Sequence, residues 1–285
     1  MPDSFINQIF CEDCIAGMKK LPDASFNLII ADPPYNLKKD FGNWKETEHE
    51  DNWLDWSKEW INECKRLLAP GGNFFIYGIH HHMCWIQCYL YQIELSYRRQ
   101  IIWHYENGFA GYSKRSLAAH YELLLWFSNG ANYTYNPIRE PYKSEDRLKH
   151  KITKNGKVWT PNPEGRLAGD VWDFPVLAGK RFAKEKVDHP TQKPLSISNR
   201  IVKHFSNPGD NILIPFVGSG SECVAAATHG RNYTGFELNP TYIEIANKRL
   251  TDAMTAEDVI CPLQNNCKKY LSTGKRSPED DPLPF

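Results

Sequence analysis

Hydrophobic residues in the first part of the chain alternate between short continuous runs and helically spaced stripes. The run Phe26–Ala31 (FNLIIA) is nearly all apolar, which is typical of a parallel strand covered on both faces. Asp51–Leu68 instead places its Trp, Ile, Cys and Leu residues at helical spacing before Pro70-Gly71-Gly72. Phe5–Phe10 predicts an earlier strand, with a helix between it and Phe26.

The same alternation continues on either side of a middle segment. Further strands are predicted at Asn73–Tyr77, Arg99–Tyr105, Tyr121–Ser128, Asn211–Ile214 and Tyr233–Phe236. Further helices are predicted at Met83–Ile93, Leu195–Phe205, Glu222–His229 and Pro240–Leu250. Because strands and helices alternate, the pattern predicts an α/β fold with a largely parallel sheet.

The segment from residue 129 to 188 loses this rhythm, which predicts an inserted region. Lys+Arg and Asp+Glu both number 34 in the whole chain, so the net charge is zero. Between Arg98 and Asp188, however, 16 Lys and Arg stand against 10 Asp and Glu. The inserted region is therefore basic while the rest of the chain is acidic.

Composition favours a globular enzyme. At 285 residues, 41% of them hydrophobic, the chain can bury a large core. Eight cysteines without a recognisable secretory leader predict reduced thiols in the cytoplasm, and no apolar run approaches the roughly 18 residues of a membrane span. Cys11-x-x-Cys14 and His80-His81-His82 suggest zinc, but no second Cys pair follows at finger spacing, so we predict no metal site.

A glycine-rich turn follows the predicted strand Asn211–Ile214. Gly218-Ser219-Gly220 leads into a helix, and the next strand ends near Glu237. In a doubly wound sheet such a turn lets the backbone approach a ligand, and the acid can accept hydrogen bonds from ribose hydroxyls. Cys223 stands where a dinucleotide fold has its third glycine, and no Gly-Lys-Ser/Thr of a P-loop follows. The pattern favours a nucleoside cofactor.

Three motifs together resemble one enzyme family. They are Asp32-Pro33-Pro34-Tyr35, directly after the run Phe26–Ala31, then HPTQKP at 189–194 and FVGSG at 216–220. In this order they resemble the permuted beta class of S-adenosylmethionine-dependent DNA methyltransferases that act on the N6 amino group of adenine. The resemblance covers residues 7 to 250. It implies a single Rossmann-like methyltransferase domain with a mostly parallel central sheet and an inserted target-recognition region.

The resemblance implies four segments. Residues 1–107 form the catalytic half with DPPY, and 108–188 the target-recognition insertion. Residues 189–250 form the cofactor-binding half, and 251–285 a C-terminal extension that we expect to be partly disordered, because its end is polar and rich in proline.

The resemblance assigns catalysis to Asp32, Pro33, Pro34 and Tyr35. The lone pair of adenine N6 is delocalised into the ring. Hydrogen bonds to the Asp32 carboxylate and the Pro33 carbonyl would localise it and aim it at the methyl group. The prolines fix φ and leave no N–H to compete, and Tyr35 offers a face for an extruded base.

S-adenosylmethionine is the implied cofactor. Glu237 should bind its ribose, Lys193 its carboxylate, and Asp13 with the Cys14 N–H its adenine. The implied cofactor-binding residues are Asp13, Cys14, Asp32, Thr191, Gln192, Lys193, Phe216, Gly218, Ser219, Gly220, Ser221, Glu237 and Leu238.

One position departs from the family pattern. Members usually carry Asp where this chain has Ile214, and losing a charge-assisted hydrogen bond costs about 1.5–3 kcal/mol. We therefore expect Ile214→Asp to tighten cofactor binding, and a catalytically impaired DNA-binding protein stays open as an alternative. Cytosine-N4 methylation also stays open because it uses the same geometry, although Asp32 favours adenine.

Duplex DNA is the implied partner, bound by the basic insertion. Its candidate phosphate-binding residues are Lys114, Arg115, Lys143, Arg147, Lys149, Lys151, Lys154 and Lys157. The target adenine must leave the base stack to reach the DPPY element. The resemblance also makes a homodimer and a cognate restriction endonuclease candidate partners, in the cytoplasm, at the nucleoid, of a bacterial, archaeal or phage-infected cell.

Overall fold

A computed structural model describes residues 1–37, 52–107 and 117–255. The strands in these ranges are β1 (Gln8–Cys11), β2 (Phe26–Ala31), β3 (Leu68–Gly78), β4 (Ser96–His104), β5 (Tyr121–Ser128), β6 (Arg139–Glu140), β7 (Ile152–Lys154), β8 (Lys157–Trp159), β9 (Arg166–Leu167), β10 (Val171–Asp173), β11 (Asn211–Ile214) and β12 (Asn232–Glu237). The α-helices are α1 (Cys14–Met18), α2 (Trp53–Leu67), α3 (His80–Gln92), α4 (Leu195–Phe205), α5 (Ser221–Thr228) and α6 (Pro240–Thr255).

The central sheet has eight strands in the order β1-β12-β11-β2-β3-β5-β4-β10. Its pairings are parallel except for the two that β5 makes, with β3 and with β4. The predicted α/β fold with a mostly parallel sheet is confirmed. Because β1, β12, β11 and β2 are parallel neighbours, their carboxyl ends meet along one edge, where open α/β sheets bind their ligands.

Two apolar layers explain why β2 has no polar face. Ile29 and Ala31 pack into the layer that contains buried residues of α1, α2 and α3. Leu28 and Ile30 pack into the opposite layer, with buried residues of α4, α5 and α6. Each of these four side chains is at most 1% exposed. The uninterrupted apolar run is therefore the sequence signature of a strand covered on both faces.

Several predicted boundaries differ from the structure, and for two of them the backbone shows the reason. The first strand begins at Gln8 because Asp3–Phe5 form a 3-10 turn ahead of it. The predicted helix stop, Pro70-Gly71-Gly72, lies inside β3, since α2 ends at Leu67 and the strand starts at the next residue. The pairing of β2 with β3 shifts register there, so the proline and glycines mark an irregularity within a strand.

The segment between β5 and α4 is built from very short strands. β6 pairs with β9, β7 pairs with β8 in a hairpin, and β10 joins the edge of the central sheet beside β4. Strands of two or three residues show no readable period, which explains the loss of rhythm in the sequence. The range 108–188 also encloses β5 and β10, so two strands of the central sheet lie within the predicted insertion. At the other end, α6 continues to Thr255, past the boundary predicted at residue 250.

The described residues offer no sign of a metal or a disulfide. Cys11, Cys14, Cys64, Cys84, Cys88 and Cys223 are free thiols. No group of three or more His, Cys, Asp or Glu side chains is placed to hold a metal ion in the described ranges. Across these same ranges, no helix is long and apolar enough to span a membrane.

Ile214 is the last residue of β11 and belongs to the apolar layer that α4 and α5 cover. Its side chain is 1% exposed. A carboxylate at this position would lie among apolar side chains, where an unpaired charge is costly. Judged from the structure, the expected effect of introducing the family's usual Asp at position 214 is a loss of stability.

We predict that Ile214→Asp destabilises the protein. Burying an uncompensated carboxylate should lower the free energy of unfolding by about 3 kcal/mol and Tm by roughly 6–12 °C. Thermal unfolding followed by circular dichroism measures the loss of stability. Ile214→Val is the control, and it should lower the free energy of unfolding by only about 1 kcal/mol. An unchanged Tm together with tighter cofactor binding would show that position 214 serves the cofactor.

Candidate active site

A cleft opens at the carboxyl ends of β1, β12, β11 and β2, and the segments that follow these strands line it. The segment before α4 and a side chain of α2 complete its wall. The sequence-predicted residues that line this cleft are Asp13, Cys14, Asp32, Pro33, Pro34, Tyr35, Thr191, Lys193, Phe216, Gly218, Ser219, Glu237 and Leu238. Residues far apart in sequence thus meet at one site, because their strands are parallel neighbours.

Three other predicted cofactor-binding residues are not among those that line the cleft. The Gln192 side chain accepts a hydrogen bond from the Val187 N–H (2.8 Å) and donates one to the Glu185 carbonyl (2.9 Å). It braces the loop that precedes α4.

Gly220 and Ser221 support the cleft from behind. Gly220 has φ +81°, and a Cβ there would lie 2.6 Å from the Cβ of Ala246, so glycine allows α6 to pack closely. The Ser221 hydroxyl donates to the Lys193 carbonyl at 2.7 Å. These contacts join the glycine turn to α6 and to the HPTQKP segment.

Gly218 and Glu237 form the centre of the glycine turn. The Gly218 N–H donates to Oε2 of Glu237 at 2.8 Å, and the Asn239 N–H donates to Oε1 at 2.9 Å. Gly218 has φ +50°, and a Cβ there would lie 2.9 Å from Nε2 of His189. Burial raises the pKa of Glu237, while the backbone N–H groups oppose that rise. The carboxylate is thereby oriented, and each oxygen retains a lone pair for a ligand hydroxyl.

Asp13 has a structural role at this edge. Its Oδ1 accepts the Ala16 N–H at 2.9 Å and caps the N-terminus of α1. The adjacent Cys14 side chain is buried, and burial raises the pKa of its thiol well above the ordinary value. A protonated thiol is a poor nucleophile, so the Cys14 side chain is unsuited to covalent chemistry, and its backbone N–H remains the candidate contact.

Asp32 belongs to a four-residue network, which we call the Asp32 network: Asp32, Tyr35, Glu122 and Lys193. Oδ1 of Asp32 lies 2.8 Å from the Tyr35 hydroxyl and 2.9 Å from Nζ of Lys193. Oε2 of Glu122 lies 2.9 Å from the same hydroxyl and 3.4 Å from the same Nζ. Lys193, which the sequence assigned to the cofactor carboxylate, therefore contacts two protein carboxylates here.

Electrostatics fix the protonation of the two donors in this network. Burial alone would lower the pKa of Lys193, but Asp32 and Glu122 together outweigh it and the pKa lies above its ordinary value. Burial, with both carboxylates, raises the pKa of Tyr35 well above its ordinary value. Lys193 is thus a cation and Tyr35 a neutral hydroxyl near neutral pH. Aromatic rings also surround the ammonium, with centroids of Tyr35, Tyr77 and Trp103 at 5.0, 5.2 and 5.8 Å.

Several residues at the site were missed from the sequence. Trp56 and His189 line the cleft, and so does Glu222, which is 4% exposed and accepts a hydrogen bond from the Ser198 hydroxyl at 2.9 Å. Burial, then Asp32, raises the pKa of Glu222. For two missed residues the sequence did contain a signal. His189 opens the HPTQKP motif, and Glu122, the fourth member of the Asp32 network, places a charge in the otherwise apolar strand Tyr121–Ser128.

Trp53, the first residue of α2, fixes the backbone of the DPPY element. Its indole N–H donates to the Pro34 carbonyl at 2.8 Å, and its ring packs against His82 with centroids 4.7 Å apart. Trp53 is 7% exposed, so this hydrogen bond is shielded from water. With the Pro34 carbonyl engaged by Trp53, the Pro33 carbonyl remains the candidate acceptor for a substrate amine.

The candidate DNA-binding residues are in varied surroundings. Lys143, Lys151, Lys154 and Lys157 are exposed. Lys149 pairs with Asp146 at 2.7 Å. The Arg147 guanidinium donates to the His150 carbonyl at 2.6 Å. Lys114 and Arg115 lie outside the described residues.

We predict that Trp53→Phe slows methyl transfer to DNA, the reaction that the resemblance implies, by about tenfold, since the hydrogen bond to Pro34 contributes about 1–1.5 kcal/mol. Cofactor affinity should be unchanged, because phenylalanine keeps the ring contact. Single-turnover kinetics and calorimetry measure the two quantities. Trp85→Phe, at a site 60% exposed, is the control. Equal rates for both variants would contradict a role for the indole N–H.

Comparison with known proteins identifies the family. A model of the DNA methylase family matches residues 26–248. The chain is 34% identical over 251 residues to the type II methyltransferase M1.MboII of Moraxella bovis, covering 85% of this chain and 95% of that protein. It is 32% identical over 275 residues to the DNA adenine methyltransferase YhdJ of Escherichia coli K12, covering 95% and 92%.

A solved structure gives the same result. The complex of M1.HpyAVI with SAM superposes with a TM-score of 0.60 at 25% identity, covering 85% of this chain and 98% of that one. The family resemblance expected from the DPPY, HPTQKP and FVGSG motifs is confirmed. The chain belongs to the N6/N4 family of DNA methylases.

Proposed function

We propose that this protein transfers a methyl group from S-adenosylmethionine to the N6 amino group of an adenine extruded from duplex DNA. The observation that carries the proposal is the meeting of Asp32, Gly218 and Glu237 in one cleft. The proposed amine acceptor and the proposed nucleoside site would therefore lie side by side. The adenine specificity named for YhdJ supports N6 over the cytosine-N4 alternative.

The residues present fit S-adenosylmethionine, which supplies an electrophilic methyl group when bound. Glu237 would accept hydrogen bonds from the ribose hydroxyls, and the turn from Phe216 to Ser219 would contact the methionine end. The N–H of Cys14 and the carboxylate of Asp13 would meet the adenine. All these residues line the cleft.

Asp32 and the Pro33 carbonyl prepare the target amine. Both would accept hydrogens from N6, which turns its lone pair out of conjugation and aims it at the methyl carbon. The Lys193 ammonium lies 5.0 Å from the centroid of the Tyr35 ring. The same ring can stack against an extruded base.

The β7–β8 hairpin is the element that we propose to contact DNA. Every residue from Lys151 to Thr160 is exposed, and the turn residues Asn155 and Gly156 have φ of +51° and +71°. Lys154 and Lys157 pair across the strands beside this turn. A two-stranded ribbon fits the DNA major groove, and exposed lysines at its tip can neutralise phosphates.

The partners and the cellular location of the protein are also part of this proposal. A cognate restriction endonuclease, a homodimer and a cytoplasmic location remain predictions. Co-purification from the native host and size-exclusion chromatography with light scattering would test the first two.

Product analysis tests the proposed reaction. Labelled S-adenosylmethionine and mixed-sequence duplex DNA should give N6-methyladenine, and Asp32→Ala should lower the rate by about 10²–10³-fold because it removes the proposed amine acceptor. Asp252→Ala, on the exposed side of α6, is the control and should keep the wild-type rate. N4-methylcytosine as the product, or full activity of Asp32→Ala, would refute the proposal.

We predict that Lys154→Ala/Lys157→Ala weakens DNA binding equally for all sequences. Losing two phosphate contacts should reduce the slope of log K against log salt by about 2. Fluorescence anisotropy over a salt series measures the slope. A double variant of exposed lysines elsewhere, Lys203→Ala/Lys248→Ala, is the matched control. An unchanged slope in the hairpin variant would place the DNA on another surface.

A further inference from the structure

Glu122 is the member of the Asp32 network that no motif indicates. It is the second residue of β5, the antiparallel strand of the central sheet, and its side chain is 18% exposed. It is not among the cleft-lining residues, so it reaches the site through Tyr35 and Lys193. We propose that Glu122 is a positioning residue that shares Lys193 and Tyr35 with Asp32 and so keeps Asp32 able to accept the target amine.

The hydrogen-bonding capacity of the network requires this sharing. The Tyr35 hydroxyl has one hydrogen but lies within 2.9 Å of both carboxylates, so it can donate to one of them at a time. The Lys193 ammonium has three hydrogens and contacts both. Glu122 therefore competes with Asp32 for the Tyr35 hydrogen and shares the Lys193 ammonium with it.

Without the Glu122 charge, both donors would be directed at Asp32. An ammonium 2.9 Å from Oδ1 already occupies one acceptor position of the carboxylate. A substrate amine also binds as a donor, so Lys193 and the amine compete for the same group. Both donors lie closer to Asp32 than to Glu122, but Glu122 takes a share of each and so weakens their hold on the carboxylate that would accept the N6 hydrogens.

The charge balance acts in the same direction. Two carboxylates and one ammonium leave the network with an excess of one negative charge. Methyl transfer from a sulfonium moves positive charge onto the amine until its proton leaves. A fixed negative charge close by stabilises that developing cation, because buried charges interact strongly. Replacing Glu122 by a neutral amide removes this stabilisation while keeping the side-chain shape.

The proposal rests on the proposed methyl transfer and predicts a division between rate and binding. Glu122→Gln should lower kcat by about 30-fold, less than the loss of a group that touches the substrate directly. KM for DNA and Kd for S-adenosylmethionine should stay within about twofold, because Glu122 does not line the cleft. Glu122→Asp keeps the charge, so its kcat should lie within about fivefold of the wild-type value and above that of Glu122→Gln.

Glu140→Gln is the matched control. Glu140 is 22% exposed and is held by Arg166 and Arg200 at 2.7 and 3.0 Å, so it is also a partly buried, ion-paired glutamate. Removing the Glu140 charge should lower Tm without changing kcat. If Glu122→Gln and Glu140→Gln affect kcat alike, or if Glu122→Asp is as slow as Glu122→Gln, the positioning role is wrong.

A crystal structure of Glu122→Gln separates this proposal from the reaction itself. Nζ of Lys193 should stay within 3 Å of Asp32 and move away from position 122. An unmoved Lys193 would overturn the proposal, whatever product the wild-type protein forms. An inactive wild-type protein would overturn the proposed function, and the position of Lys193 in the variant would still decide the role of Glu122.

Discussion

The ion pair between Asp32 and Lys193 connects two distant segments of the chain. Asp32 follows β2 and Lys193 precedes α4, so the contact joins residues 161 positions apart in the sequence. Lys193 is 5% exposed, and a buried ammonium is tolerated because carboxylates and aromatic rings replace its water. The position of Asp32, the proposed amine acceptor, therefore depends on the folding of both segments.

The same logic applies to the cofactor side of the cleft. Glu237 ends β12, and its carboxylate accepts two backbone N–H groups that orient it towards the glycine turn. Gly218 permits the positive φ and the close approach of His189. Rigid strands and a constrained turn thus fix the distance between the proposed nucleoside site and the proposed amine site. Alignment of this kind lowers the barrier of a transfer between two bound groups.

Ile214 shows how burial can overrule a motif. A carboxylate at this position looks like a simple repair when the sequence is compared with the family pattern. In the structure the side chain lies in the apolar layer beneath the cleft. Lys193 is a second case. The HPTQKP motif suggests that it binds the cofactor carboxylate, but in the structure it contacts two protein carboxylates. A motif identifies the site, and the contacts decide what each side chain does.

The sequence by itself determined the alternation of strands and helices and the segments that form the cleft. Local patterns carry this information: continuous apolar runs, helical spacing, and turns rich in proline and glycine. It did not reveal Glu122, Trp53 or Glu222 as parts of the site, nor the short strands between β5 and α4. Strand order brings Glu122 into the site, since β5 runs antiparallel beside β3 and carries Glu122 to Tyr35 and Lys193. Contacts between distant segments depend on how the sheet is assembled, and no local pattern records that.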